Sequence, residues 1–320
     1  MPGKPTISVL VPTRNRRALL ETAIQDVLDQ DLDEPIELLI SDNASDDGTR
    51  TLLRSLDSHR LHEHNIALRS WFQERNIGIV ANFNYLLSQA SGEFCAFHLD
   101  DDRWSPQYLR HAVATLRNHP FCVAVLTANK EHDDFGKEMS GWLQTHIHPL
   151  TRRAPAGGIH SLADILPVFV SRPACNLSQV VFRQGGYSGD ERDGAHFDAV
   201  FFLCLLTSGD LFVDPTERCS FRVSRDAYGR LDVLRHMDDD HIQYSHAMIN
   251  ALGKLSRSGR LARSALRDFA LRRAAKSLAH FAKSVANGRP NPRFLWFVIT
   301  FLMGLATGWP VRSLDRFSQR

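Results

Sequence analysis

Apolar residues in this chain fall into two alternating periods. Short apolar runs occupy 6–11 (TISVLV), 36–40 (IELLI), 94–99 (FCAFHL) and 122–127 (CVAVLT). Runs of this length and composition predict strands buried on both faces. Between them, apolar positions recur at helical spacing: Leu19, Leu20, Ala23, Ile24, Val27 and Leu28 within 17–29, with similar patterns over 49–56, 79–89 and 108–117. A further strand is predicted at 66–71. Strand and helix alternate, which predicts an α/β fold with a mainly parallel sheet flanked by helices. Pro12 is expected to end the first strand, and Gly92 to stop the helix before 94–99.

The pattern weakens after 130. Residues 130–174 carry His, Gly and Pro without a clear period and are expected to border the mouth of a site. A strand is predicted at 176–182, a turn-rich acidic loop (GGYSGDERDG) at 185–194, a helix over 197–207, and short strands at 211–213 and 220–223. Helical spacing returns at 271–285, where Leu271, Ala274, Leu278, Phe281 and Val285 share one face and Arg272, Arg273, Lys276, His280 and Lys283 the other. Residues 294–311 then run for 18 positions without a charge, about 27 Å as a helix and marginal for a bilayer span. Gly304, Gly308 and Pro310 argue against spanning, and Trp296 and Trp309 suit an interface.

Charge sharpens the contrast between the two parts. The formal net charge is only +2, so no nucleic-acid partner is expected. Yet residues 251–320 hold 14 of the 38 basic residues and 2 of the 36 acidic ones. A basic amphipathic helix beside an apolar segment predicts peripheral attachment of 271–311 to an anionic membrane surface. The alternative is a helical pair packed on the rest of the chain. The five cysteines lack paired or zinc-type spacing and are expected to be thiols in a reducing compartment. The first residues have no signal-peptide layout, so a cytoplasmic location is expected, on the cytosolic face of the inner membrane if the tail attaches.

The sharpest chemical feature is Asp100, Asp101 and Asp102, three carboxylates where an apolar run stops. At a strand end they could hold a hard divalent cation, Mn²⁺ or Mg²⁺, which takes carboxylate and phosphate oxygens. They could equally be an acidic loop entering a helix. Three polar segments (12–16, 41–48 and 100–102) follow predicted strands. In a parallel sheet all three open on one edge, where ligands bind.

These segments also carry a resemblance. VPTRNR at 11–16, ISDNASDDGT at 40–49, RNIGIVANFN at 75–84, ASGEF at 90–94 and LDDD at 99–102 follow in the order and at the distances of family 2 glycosyltransferases of the GT-A (Rossmann-like) fold. The chain resembles that family over about residues 5–130 and more faintly to about 225. The resemblance implies a metal-dependent, inverting transfer of a sugar from a nucleoside-diphosphate sugar to a glycan or lipid-linked glycan acceptor in surface polysaccharide synthesis. The second loop is similar to that of O-antigen transferases. It implies a catalytic domain over 1–235, with a donor half of about 1–130 and an acceptor half of about 131–235, and a helical basic extension over 236–320.

Residue by residue, the resemblance implies Asp102 and Asp100 for the metal. For the nucleotide sugar it implies Pro12, Thr13, Asn15, Arg16, Asp42, Asn76, Asn82, Asp100, Asp101 and Arg222. Asp198 is the candidate general base, at the start of a helix eleven residues before Gly209. Glu191, Asp190 and Asp193 are its rivals. Two other functions stay open at this level: a sugar nucleotidyltransferase, which should carry a glycine-rich basic loop where VPTRNR stands, and a non-catalytic nucleotide-binding partner protein.

Overall fold

The computed structural model describes residues 4–56, 61, 63–133, 137, 157–169, 176–185, 187, 189 and 197–222, and seven positions between 271 and 286. The chain begins β1 (Ile7–Thr13), α1 (Arg17–Leu28), β2 (Ile36–Asp42), α2 (Thr49–Ser55), β3 (Ile66–Phe72), α3 (Ile79–Gln89) and β4 (Phe94–Phe97). It continues through β5 (Arg103–Trp104), α4 (Tyr108–Asn118), β6 (Cys122–His132), β7 (Gly158–His160) and α5 (Leu162–Phe169). A 3₁₀ turn (Leu177–Gln179) leads into β8 (Val180–Arg183), α6 (Phe197–Leu205) and β9 (Asp210–Arg222).

The strands form one sheet in the order β3-β2-β1-β4-β8-β6-β9-β5, with β7 beside β9. β3, β2, β1 and β4 are parallel, β8 is antiparallel to both its neighbours, and β6 and β9 are parallel. The order reverses at β1, which has β2 on one side and β4 on the other, so a crevice opens beyond its carboxyl end. Side chains alternate across the sheet into two cores. Ile7, Val9 and Val11 face Leu20, Ile24 and Leu109, whereas Leu10, Phe97 and Phe182 face Phe83, Phe201 and Phe202. The result is a three-layer α/β/α sandwich, the mainly parallel architecture expected.

Several expected boundaries shift. Pro12 does not end β1: the strand runs to Thr13, with Pro12 opposite Ser41 of β2. Leu10 accepts from the His98 N–H on the β4 side, and Thr13 accepts from Asn43 on the β2 side. Pro12 therefore turns its missing N–H toward β4, whose pairing has already stopped at Phe97. β2 likewise runs on to Asp42, and β6 to His132. The two short strands expected at 211–213 and 220–223 are one strand, β9, with register shifts against Thr127–Asn129. The two-residue β5 and the helix α5 carry no periodicity long enough to be read. The apolar segment 294–311 lies outside the described residues, and no described helix is long and apolar enough to cross a membrane. Among the tail positions, Leu271, Leu278 and Val285 are helical and 45%, 43% and 49% exposed.

Candidate functional site: the crevice beyond strands β1, β2 and β4

The three polar segments meet where the parallel strands end. Thr13, the last residue of β1, donates its hydroxyl to Asp100 Oδ2 at 2.8 Å. Arg16, three residues on, places Nη1 2.8 Å from Asp100 Oδ1 and 2.9 Å from Asp101 Oδ2. From the far side, Arg222 at the end of β9 puts Nη2 3.3 Å from Asp101 Oδ2. The three aspartates are thus bracketed by two guanidinium groups from loops more than 200 residues apart. Asp101, at 20% side-chain exposure, is the most open of the three.

Asp102 is enclosed. The Asn176 amide donates to Oδ2 at 3.0 Å, and the Arg222 backbone N–H lies 3.4 Å from Oδ1. Burial, with the neighbouring Asp101 charge, pushes its carboxyl up to about 8. Burial also raises Asp100, with the Arg16 charge opposing it. The loop is held from below. Leu99 N–H donates to Ser178 Oγ, and Trp104 Nε1 donates to Ser178 O at 2.9 Å. Asp26 of α1 takes a fork of hydrogen bonds from Arg103 and a further one from Trp104 N–H.

The first two loops are stitched together. Asn15, at φ 52°, donates its N–H to Ser45 Oγ at 2.8 Å and accepts Asp46 N–H at 2.9 Å through its side chain. Asp47 accepts the Arg17 N–H at the start of α1 and the Thr49 N–H and hydroxyl at the start of α2, so one carboxylate caps two helices. A depression of about 450 Å³ lined in part by Asn15, Arg16, Arg17 and Asp47 lies beside this junction.

Asp42 is fully buried at the end of β2, accepting from Ser45 N–H at 3.0 Å and facing Arg50 Nε at 3.3 Å. Asn76 accepts from Asn43 Nδ2 at 2.9 Å and from Gly78 N–H at 3.0 Å, which ties the loop before α3 to the second loop. Asn82 is 2% exposed, and its amide is engaged by the hydroxyl and carbonyl of Ser41, which ties α3 to the crevice end of β2. Asp198 stands half-buried in the first turn of α6, its Oδ1 accepting the Ala199 N–H at 2.7 Å. The rivals Asp190, Glu191 and Asp193 lie outside the described residues.

Five residues that matter to this geometry were not singled out from the sequence: Asp26, Arg50, Arg103, Asn176 and Ser178. Of these, only Asn176 left a local signal. Asn176 and Gln179 form a capping box on the 3₁₀ turn, legible as N-x-x-Q. Its second role, donating to Asp102 across 74 residues, has no sequence signature. Among the described residues no three His, Cys, Asp or Glu side chains are grouped to hold a metal ion by themselves.

This sheet, with loops gathered at a crevice beyond the ends of its parallel strands, defines an α/β fold with a ligand-type switch point, and comparison with known proteins gives the family. The sequence model described as "Glycosyl transferase family 2" matches residues 8–169, and the chain belongs to that family. Over 116 residues it is 38% identical to the GalNAc(5)-diNAcBac-PP-undecaprenol beta-1,3-glucosyltransferase of Campylobacter jejuni, a match covering 35% of this chain and 33% of that protein. The stretch shared with this relative is therefore about a third of its length. In fold, the chain is similar to the mannosyltransferase PcManGT of Pyrobaculum calidifontis, solved with GDP-Man and Mn²⁺ (TM-score 0.56, 18% identity, 94% of this chain and 81% of that one). It is also similar to residues 1–349 of S. aureus TarS, solved with UDP (TM-score 0.54, 17% identity, 95% and 92%).

Proposed function

We propose that this family 2 glycosyltransferase moves a sugar, with inversion, from a nucleoside-diphosphate sugar to a glycan or lipid-linked glycan acceptor in surface polysaccharide synthesis. The observation that carries this is the convergence of Thr13 and Arg16 on Asp100 and Asp101 at the switch point of the sheet. A diphosphate needs cationic partners, and Arg16 and Arg222 flank the aspartates from both sides. Asp42 would take the base edge, with Arg50 beside it. Pro12, Thr13, Asn15 and Asn76 shape the walls.

The donor set suits a hard cation. Asp100 and Asp102 offer carboxylate oxygens to an ion that would complete its coordination with substrate phosphates. Mn²⁺ or Mg²⁺ bound there would stabilise charge on the departing diphosphate. The Mn²⁺ and GDP-Man reported for PcManGT support this, as do the nucleotides in both structural relatives. Asp198 would take the proton from the acceptor hydroxyl. Residues 1–235 would form the catalytic unit. The extension 236–320 would hold it on the cytosolic face of the membrane, consistent with the exposure of Leu271, Leu278 and Val285.

A thermal-shift panel of UDP, GDP and dTDP and their sugars, each with Mn²⁺, tests the donor assignment. One base should raise the melting temperature in a Mn²⁺-dependent way. No shift across the whole panel would remove the assignment.

A further inference from the structure

Asn84 sits inside α3, where a polar side chain that competes for backbone hydrogen bonds is a poor choice on propensity alone. Its amide makes a two-bond ring with the backbone of one residue 105 positions away. Nδ2 donates to Gly189 O at 2.9 Å, and Oδ1 accepts Gly189 N–H at 2.7 Å. A carboxamide offers, side by side, the donor and the acceptor this pairing needs. Gly189 is also wedged. A Cβ there would lie 3.0 Å from Val80 Cγ1 and 3.2 Å from Phe197 Cδ2. The contact thus reaches from the middle of α3 to the first residue of α6.

Packing continues from there to the aspartates. The rings of Phe197 and Phe83 meet edge-on at 4.8 Å, and Phe83 lies 4.5 Å from Phe97, three residues before Asp100. Phe197 is 5% exposed, and Asp198 follows it in the same helical turn. We propose that Asn84 is a positioning residue for glycosyl transfer. By clamping Gly189 against Phe197 it sets the first turn of α6, and so Asp198, relative to the donor crevice. The proposal rests on Asp198 acting as the base. It adds that α3 is the rigid part joining the two: its leading loop, through Asn76 and Gly78, borders the nucleotide side, and Asn84 holds the acceptor side.

The test compares Asn84→Ala, Gly189→Ala and their double variant in the full chain. Nucleoside-diphosphate affinity with Mn²⁺ is measured by calorimetry, and turnover by hydrolysis of the matching UDP- or GDP-sugar, a transfer to water that needs the same base. Each single variant should keep nucleotide affinity within about twofold and lose about ten- to a hundredfold in turnover, the scale expected for a displaced reacting group. The double variant should be no worse than either single one, since both break one contact. Turnover within about twofold of the parent, or nucleotide affinity falling in step with turnover, would overturn the proposal. If the parent chain binds no nucleoside diphosphate, the donor assignment fails separately. Amide exchange over α6 then judges the clamp: faster exchange in Asn84→Ala upholds it, and unchanged exchange overturns it.

Discussion

Arg16 donates from a single nitrogen, Nη1, to Asp100 Oδ1 at 2.8 Å, and this pair joins the first loop to the turn after the fourth strand across 84 residues. The same nitrogen reaches Asp101 at 2.9 Å. Arg16 is 45% exposed on its side chain whereas Asp100 is 4% exposed, so the arginine can turn toward an incoming phosphate while the carboxylate cannot leave. Arg16→Met should weaken nucleoside-diphosphate binding about tenfold, the loss of one charge-assisted contact in a partly wet site. Calorimetry with Mn²⁺ checks this, and unchanged affinity would place the phosphates elsewhere.

The proposed assignment of Asp102 to the metal makes metal binding depend on pH. Ligation needs the ionised carboxylate, and burial holds this one up to about 8. A proton therefore competes with the cation below that pH. Apparent Mn²⁺ affinity should rise with pH toward about 8, by at most tenfold per unit, and level off above it. Asp102→Ala should remove metal-dependent nucleotide binding altogether. Titrations at several pH values in the presence of the nucleotide report both effects, and a flat pH profile would assign the metal to another group.

Asp26 carries an acid-sensitive contribution to stability. Burial alone would raise its pKa, but His98, whose Nε2 stands 3.6 Å away, the Arg103 fork and the Trp104 N–H outweigh burial and hold it below the ordinary value. A depressed folded-state pKa gives stability that is present above the unfolded value and lost as pH falls through the folded one. Asp26→Asn should lower the melting temperature at pH 7, and the difference from the parent should shrink in strong acid. Because Arg103 and Trp104 follow the aspartates directly, the variant should also weaken Mn²⁺-dependent nucleotide binding.

Gly92 sits where no side chain fits. A Cβ there would lie 2.7 Å from Ser8 N and 2.9 Å from Ile7 C, both backbone atoms of β1. Its N–H donates to Ser8 Oγ at 2.9 Å and to Glu37 Oε1 at 3.1 Å, and Glu37 also receives the Ser91 N–H and the Ser8 hydroxyl. Gly92→Ala should destabilise the fold by about 1–3 kcal/mol, the usual range for overpacking. Urea unfolding measures it. A loss under about 0.5 kcal/mol would mean that β4 can shift without penalty.

The tail prediction concerns Leu271, Leu278 and Val285, which share one helical face and stand open to solvent. No acidic residue occurs between Asp268 and Asp315. Full-length protein should sediment with vesicles containing anionic lipid and less with neutral ones, and salt should weaken the association. Removing residues after 286, or Leu278→Glu, should shift it to the supernatant. Equal sedimentation of the variants and the parent would point to packing within the protein.

Much of the donor half was legible because its signals are local. The strands 6–11, 36–40 and 94–99 announce themselves by short apolar runs, and the helices between them by their 3.6-residue period. Parallel strands in this alternation put every strand-to-helix loop on one edge, so the meeting of Thr13, Arg16 and the aspartates followed from order alone. The long strand β9 was harder to read. Its exposed stretch, Pro215, Thr216 and Glu217, lacks apolar alternation, and Pro215 and Thr216 bulge out between the β6 pairings of Asp214 and Glu217.

By itself the sequence determined most element types of the donor half and the edge on which its loops gather, since these depend on neighbours a few positions away, whereas the residue at which each strand ends was set by pairing across the sheet. Tertiary structure alone decided which polar side chain does which work. Asn82 and Asn84 stand two residues apart on the same helix, yet one is buried against Ser41 and the other holds Gly189. Their partners lie 41 and 105 residues away. A side chain's role is set by the group its rotamer meets across the fold, and no local pattern encodes that distance.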